Sequence, residues 1–402
     1  MFGLGQVERA RHLYLVGMTG TGKSTLISNL VRQDIEQGAG VTLIDPHGDL
    51  AETIFDVVPS HRIDDVIVID PTDHEYVVGF NPFYRVPVDD RPRIAANVVA
   101  TFKHVWPDSW GPRLEHILRN TIRLVLDSPD NMRPNFVSIA RILVEPDFRQ
   151  RSLAHCTDPQ VEQFFVQEFN RWNERFKADA LAPVQNKLGA VLANPHVRNI
   201  LAQWKPSVDL ADIVAREKIL IVRAPKGELG EDQAGLLGSL IVSGLMHAAM
   251  APRETRVPHH LYIDEFQNFT TDSFATILAE ARKFKLTLTI GHQFTEQLPP
   301  TIRSAVFGNV GTIVSFRVGA DDADRLAHEC RDIAASRFCD LKRGQVIVKA
   351  IGDNGLPLAF LGRTTLPGPG VGTSRRVLAK NRRAHTTPRQ VVEKRVGQWI
   401  RN

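Results

Sequence analysis

Cysteine is scarce: three in 402 residues, Cys156, Cys330 and Cys339, with no CxxC pair and no metal-ligand spacing. That excludes a disulfide scaffold and points to a reducing compartment. A secretory leader is missing as well, because MFGLGQVERARHLYLVG puts charges where a signal's apolar core would sit. Long apolar runs are few. The longest uncharged stretch, Ala234 to Ala251, is marginal for a membrane span and holds Gly235, Gly238, Ser239, Ser243, Gly244 and His247. It reads as a buried helix. There are no repeats or low-complexity tracts. With 43% hydrophobic and 23% charged residues, the chain is globular rather than disordered. Its net charge of +4 is unevenly spread, since 373–402 holds nine Lys/Arg against one Glu. The positive balance therefore belongs to that tail and does not make the body a nucleic-acid binder.

Short β-rich runs recur at His12–Gly17, Val41–Asp45, Asp65–Asp70, Lys218–Arg223, His260–Asp264, Leu286–Gly291 and Gly311–Phe316. Such apolar runs joined by helical patterns imply parallel strands buried on both faces. Gln345–Ile351 and Leu358–Leu361 straddle Asp353-Asn354-Gly355 and read as a hairpin. Between 88 and 207 the period turns helical: Leu114, Ile117, Leu118, Thr121, Ile122 and Val125 in one segment, Val161, Phe164, Phe165, Glu168, Phe169 and Trp172 in another. Trp106, Trp110, Trp172 and Trp204 lie in this stretch and read as core packing rather than base stacking. The expected architecture is α/β, a P-loop core with a mostly parallel sheet over 1–87 and 208–366. An all-α domain is inserted at 88–207, and 367–402 forms a linker and basic tail.

Gly17-Met18-Thr19-Gly20-Thr21-Gly22-Lys23-Ser24 fits G-x-x-x-x-G-K-[ST] between a strand and a helical pattern. Glycines let backbone N–H groups curl around phosphates, and the helix N-terminus favours the anion. Lys23 would pair with the outer phosphates of ATP, Ser24 would ligate Mg²⁺, and Thr25 follows on the helix. His260-Leu261-Tyr262-Ile263-Asp264-Glu265 is an apolar strand ending in two acids. Asp264 can hold the metal and Glu265 can polarise the attacking water. Gln293, at the end of Leu286–Gly291, can sense the outer phosphate or place water, although a polar loop residue explains it equally well. Arg282 and Arg317 are each candidates for an arginine finger serving a neighbouring subunit. Asp45-Pro46-His47-Gly48-Asp49 reads as a tight turn near the nucleotide, not a metal site.

These pieces together resemble the HerA/FtsK branch of P-loop ATPases, above all the conjugative coupling proteins of type IV secretion. The resemblance is carried by HLYLVGMTGTGKSTLI (12–27), LIDPHGDL (43–50), FNPF (80–83) and SWGPRLEHILRNTIRLVL (109–126). KGELGEDQAGLLGSLI (226–241), LYIDEFQNF (261–269), EARKF (280–284) and GNVGTIVSFRVGADDADRLA (308–327) extend it over most of 12–366. It implies a ring, usually a hexamer, that hydrolyses ATP at subunit interfaces and moves DNA through a channel. It also implies that Gln293 senses the γ-phosphate, that Arg282 rather than Arg317 is presented in trans, and that 88–207 recruits substrate. The P-loop begins at residue 17, with no room before it for a coupling protein's membrane helices or a HerA barrel. The expectation is thus a soluble relative or a shortened chain, cytoplasmic or peripheral at the inner membrane. Two alternatives are a secretion ATPase that does not grip DNA and a nucleotide-gated adaptor. The tail is expected to bind DNA through charge alone, and its removal after Gly372 to spare hydrolysis.

Overall fold

The computed structural model describes residues 5–330, 333–352 and 355–401. Eleven strands are present among them: β1 (Leu13–Val16), β2 (Gly40–Asp45), β3 (Val66–Ile69), β4 (Tyr76–Val78), β5 (Ile219–Arg223), β6 (His259–Ile263), β7 (Leu286–His292), β8 (Thr312–Ser315), β9 (Gln345–Ile351), β10 (Pro357–Arg363) and β11 (Thr386–Pro388). Nine form one sheet in the order β10-β9-β8-β1-β7-β6-β2-β5-β3. From β8 to β3 every pairing is parallel, and β9 and β10 add an antiparallel edge. The runs read as doubly buried strands are so: β1, β2, β3, β7 and β8 are buried at every position. The β9–β10 hairpin pairs Gln345 with Arg363 through Ile351 with Pro357, while Asp353 and Asn354 of its expected turn lie outside the described residues.

The chain divides into two compact units. Unit 1, Met1–Ile69, Leu210–Pro225 and Gly244–Asn381, contains the nine-stranded sheet. Its core packs Leu13, Leu15, Ile27, Val31, Val41 and Leu43 with Ile219, Ile221, Val314 and Phe316. Unit 2, Asp70–Asp209, Lys226–Ser243 and Arg382–Asn402, is helical apart from the β4–β11 pair. It draws on more sequence than the 88–207 insertion. Its longer helices include Arg91–Val105, Pro112–Asp127 and Glu174–Ala193. Trp106 and Trp172 pack at a tilt against Phe102 and Phe169. One described helix, Glu231–Met250, is long and apolar enough to cross a membrane by composition, but 83% of that window is buried in protein.

The C-terminal stretch departs most from its expected form. Residues 374–385 and 389–401 are helices, not a free tail. The segment before them runs along the P-loop helix Lys23–Glu36: Asn29 donates to Thr365 O (2.9 Å) and Arg32 to Pro369 O (3.0 Å). Thr373 Oγ1 then reaches the carbonyls of Phe55 (3.1 Å) and Val58 (2.9 Å), and Val377 is fully buried. Asn381 exchanges two hydrogen bonds with the main chain of Val68 in β3 (2.9 and 3.1 Å). In unit 2, Val392 and Val396 are buried, and Trp399 packs edge-on to Phe148 under the Arg141 guanidinium. Several of its charges are matched within the chain: Lys380 to Asp64, Arg382 to Asp73 and Glu75, Arg389 to Glu393. Cutting after Gly372 would remove the buried Val377, Val392 and Val396 from the two units, which argues against the expectation that the cut spares hydrolysis.

Candidate nucleotide site

All of the parallel strands point the same way, so their C-terminal ends share one edge of the sheet, where open α/β sheets bind ligands. The P-loop leaves β1 there. Gly17 N–H donates to His292 O (3.3 Å) and Met18 N–H to Arg317 O (2.9 Å), which anchors the loop to the ends of β7 and β8. Thr21 Oγ1 donates to Met18 O (2.7 Å), and Gly344 N–H donates to Thr21 O (3.0 Å) from the start of β9. Gly17 is forced by packing, because a Cβ there would stand 2.5 Å from Phe316 Cβ. Gly20 faces open space and, like Gly22, has positive φ, the backbone conformation from which a loop can cradle an anion. Thr19 is exposed and Thr25 half-buried on the first turn of the helix.

Lys23 is 6% exposed, and its Nζ curls back onto Gly17 O (2.5 Å) and Met18 O (3.4 Å). Burial lowers its pKa, opposed by the charges of Glu265 and Asp264. A buried ammonium held by two carbonyls and facing two acids is poised to gain from phosphate. Ser24 Oγ donates to Asp264 Oδ2 (3.1 Å), which joins the helix start to the end of β6. The Asp264 carboxyl is pushed up to about 6 by burial, then by the neighbouring charges of Glu265 and Asp45. A divalent cation would reverse that, and the hydroxyl–carboxylate pair fits magnesium, which uses one or two protein oxygens and takes the rest from phosphate and water.

Glu265 is 6% exposed and adopts the left-handed conformation (φ 48°, ψ 51°), a strained choice for a side-chain-bearing residue. Its Oε1 accepts from Gln293 Nε2 (3.1 Å) at the end of β7. Lys23, Ser24, Asp264, Glu265 and Gln293 thus form one linked cluster. The two arginines separate. Arg317 follows β8 at this same edge and is exposed. Arg282, also exposed, lies on the turn leading into β7, at the opposite edge of the sheet. Seven strand residues, roughly 20 Å, separate it from Gln293.

The Asp45 carboxylate accepts from His47 N (2.9 Å) and Ala51 N (2.9 Å), capping the Asp49–Phe55 helix behind the site. Among the described residues no three His, Cys, Asp or Glu side chains gather as a metal group. Residues that sequence reasoning did not single out also belong here. Phe316 wedges the P-loop. His292, buried and pushed down to about 3 chiefly by desolvation, meets the Tyr14 hydroxyl (2.5 Å) beneath it. Gln267 reaches Glu265 from the far side.

Residues 7–99 match the family described as Helicase HerA, central domain. The type 4 coupling protein DotL of Legionella pneumophila is 23% identical over 333 residues, 67% of this chain. The chain spans about two fifths of that relative's length, 42%. Among solved structures, the bacterial conjugative coupling protein TrwB superposes with a TM-score of 0.67 at 15% identity, covering 91% of this chain and 87% of that one. TrwB in complex with ADP and Mg²⁺ gives 0.65 at 16% identity, with 91% and 89% covered. VirB4 of Thermoanaerobacter pseudethanolicus gives 0.56 at 14% identity, with 89% and 90% covered. Residues 7–99 thus match the HerA central domain, and the chain has the fold of TrwB and similarity to the coupling protein DotL.

Proposed function

We propose that this chain is a magnesium-dependent ATPase and the motor of a ring-forming, hexameric DNA translocase akin to the coupling proteins. The observation that carries this reading is the convergence of Lys23, Ser24, Asp264, Glu265 and Gln293 on one sheet edge. Bound Mg²⁺ would neutralise developing phosphate charge, held by Ser24 and Asp264. Lys23 and the P-loop N–H groups bind the phosphates, Glu265 takes the proton from water, and Gln293 fixes the Glu265 carboxylate beside the γ-phosphate. Arg282, on the far edge from its own P-loop, suits action on another subunit's nucleotide. Arg317, beside its own P-loop, suits the nucleotide of the same chain. The helical unit is the candidate surface for recruiting secretion partners, and the site of action is cytoplasmic.

A second reading, a secretion ATPase that does not grip DNA, draws support from the likeness to VirB4 and from the tail charges spent on acids within the chain. ATP hydrolysis with Mg²⁺, measured alone and with single- and double-stranded DNA alongside mass in solution, separates the two. The translocase reading expects assembly and DNA-stimulated turnover. Turnover indifferent to both DNA forms favours the second reading, and no Mg²⁺-dependent turnover overturns both.

A further inference from the structure

Both oxygens of the Glu265 carboxylate are engaged, and by two amides from different elements. Gln293 Nε2, at the end of β7, donates to Oε1 (3.1 Å). Gln267 Nε2, on the turn Phe266–Phe269, donates to Oε2 (2.8 Å). The backbone is pinned as well, since Asn268 donates to the Glu265 carbonyl from its main-chain N–H (3.0 Å) and from Nδ2 (2.8 Å). Phe266 and Phe269 on either side of Gln267 are buried, which fixes the turn that carries it. Gln267 has only one end in use. Its Oε1 is buried with no hydrogen-bond partner among the described residues. A side chain there for packing alone would avoid that cost by being apolar, so the amide is retained for what its donor end does.

We propose that Gln267 is a positioning residue for hydrolysis, which with Gln293 brackets the Glu265 carboxylate and sets its rotation toward the attacking water. A glutamate carboxylate hangs on three side-chain torsions, and one donor leaves it free to swing about that contact. Two donors on opposite oxygens remove the swing while leaving a lone pair on each oxygen for the proton. The strained backbone of Glu265 places the carboxylate, and Gln267 keeps it aimed. This inference rests on Glu265 being the base proposed above.

The test is steady-state and single-turnover ATP hydrolysis by the full chain carrying Gln267→Met, which keeps length and loses the donor, and Gln267→Ala. Each should lower kcat about tenfold or more, the scale of a lost charge-assisted hydrogen bond, with ATP affinity within about twofold of the unmodified chain. In the Glu265→Gln background the same Gln267→Met change should cost nothing further, because the carboxylate it aims is gone. A structural role would instead raise KM or cost as much in both backgrounds. Unchanged or faster turnover in both single variants, or an equal loss in the Glu265→Gln background, overturns the proposal. Hydrolysis lost in Glu265→Gln but untouched by Gln267→Met removes this inference alone. Hydrolysis indifferent to Glu265→Gln removes the base assignment and this inference with it.

Discussion

The two edges of the nine-stranded sheet both bury charge, and they do it in opposite ways. At the edge where β1, β6 and β7 end, the groups fall short of partners: Lys23 is held by two carbonyls, and the Asp264 carboxyl is driven up to about 6. At the edge where those strands begin, Asp34, Arg9 and Tyr262 satisfy one another. Asp34, buried in the P-loop helix, takes both carboxylate oxygens to the Arg9 guanidinium and accepts from the Tyr262 hydroxyl (2.5 Å). Tyr262 in turn accepts from Arg9 Nη2 (2.7 Å), and His260 Nδ1 meets Thr287 Oγ1 (2.6 Å). His12 accepts from Leu288 N–H (3.1 Å) and faces Leu278 O (3.1 Å), an arrangement that holds a neutral imidazole. Buried charge marks a site where the partner set is incomplete and a ligand completes it; where the set is complete, it marks structure.

The largest expected effect is at the open edge. Lys23→Ala should lower kcat/KM by about 10²-fold or more, with ATP binding weakened in parallel, because the ammonium acts on the phosphates in ground and transition states alike. An ATP titration and a rate measurement check it, and near-normal affinity would place the phosphate contact elsewhere. Glu265→Gln should lower hydrolysis about 10²-fold while ATP remains bound, since shape is kept and the proton acceptor is lost. Nucleotide retained unhydrolysed on the protein is the expected readout.

At the closed edge the same kind of change should act on stability. Asp34→Ala leaves Arg9 and Tyr262 without their acceptor and should cost about 3–5 kcal/mol, the scale for breaking one side of a buried pair. Urea unfolding measures it, and kcat per folded molecule should hold. A loss of turnover without a loss of stability would break the contrast between the edges.

The smallest effects are in pH. Burial holds His12 down to about 4, His259 to about 3 and His260 to about 4. These imidazoles stay neutral in the folded chain but charge near 6.5 once unfolded, so stability should be full above that pH. It should fall as pH drops from about 6.5 toward 4, read as a declining urea midpoint. Asp264 runs the other way. Its folded carboxyl keeps a proton up to about 6, whereas an exposed one releases it near 3.8. That costs folding stability as pH rises through this window, and metal must displace the proton below it. Mg²⁺-dependent ATP affinity should therefore weaken as pH falls through about 6.

Phosphate binding was legible because its geometry is local: eight consecutive residues, Gly17 to Ser24, supply the turn, the helix start and the ammonium. Asp264-Glu265 was legible because strand polarity places a strand's last residues at the ligand edge. Gln293 could not be separated from a loop residue without its 3.1 Å bond to Glu265. The C-terminal helices were obscured by composition. Nine basic residues outweighed the apolar spacing of Val392, Val396 and Trp399, which lies on one helical face.

By itself, then, the sequence determined the parallel sheet, the P-loop and the acid pair, since each is a short-range pattern tied to one strand or one turn. Only the tertiary structure decided that Gln267 and Gln293 hold the same carboxylate, and that the basic C-terminus is core rather than tail. Those depend on segments far apart in the chain meeting in space, and strand order and side-chain packing, not local spacing, set which ones meet.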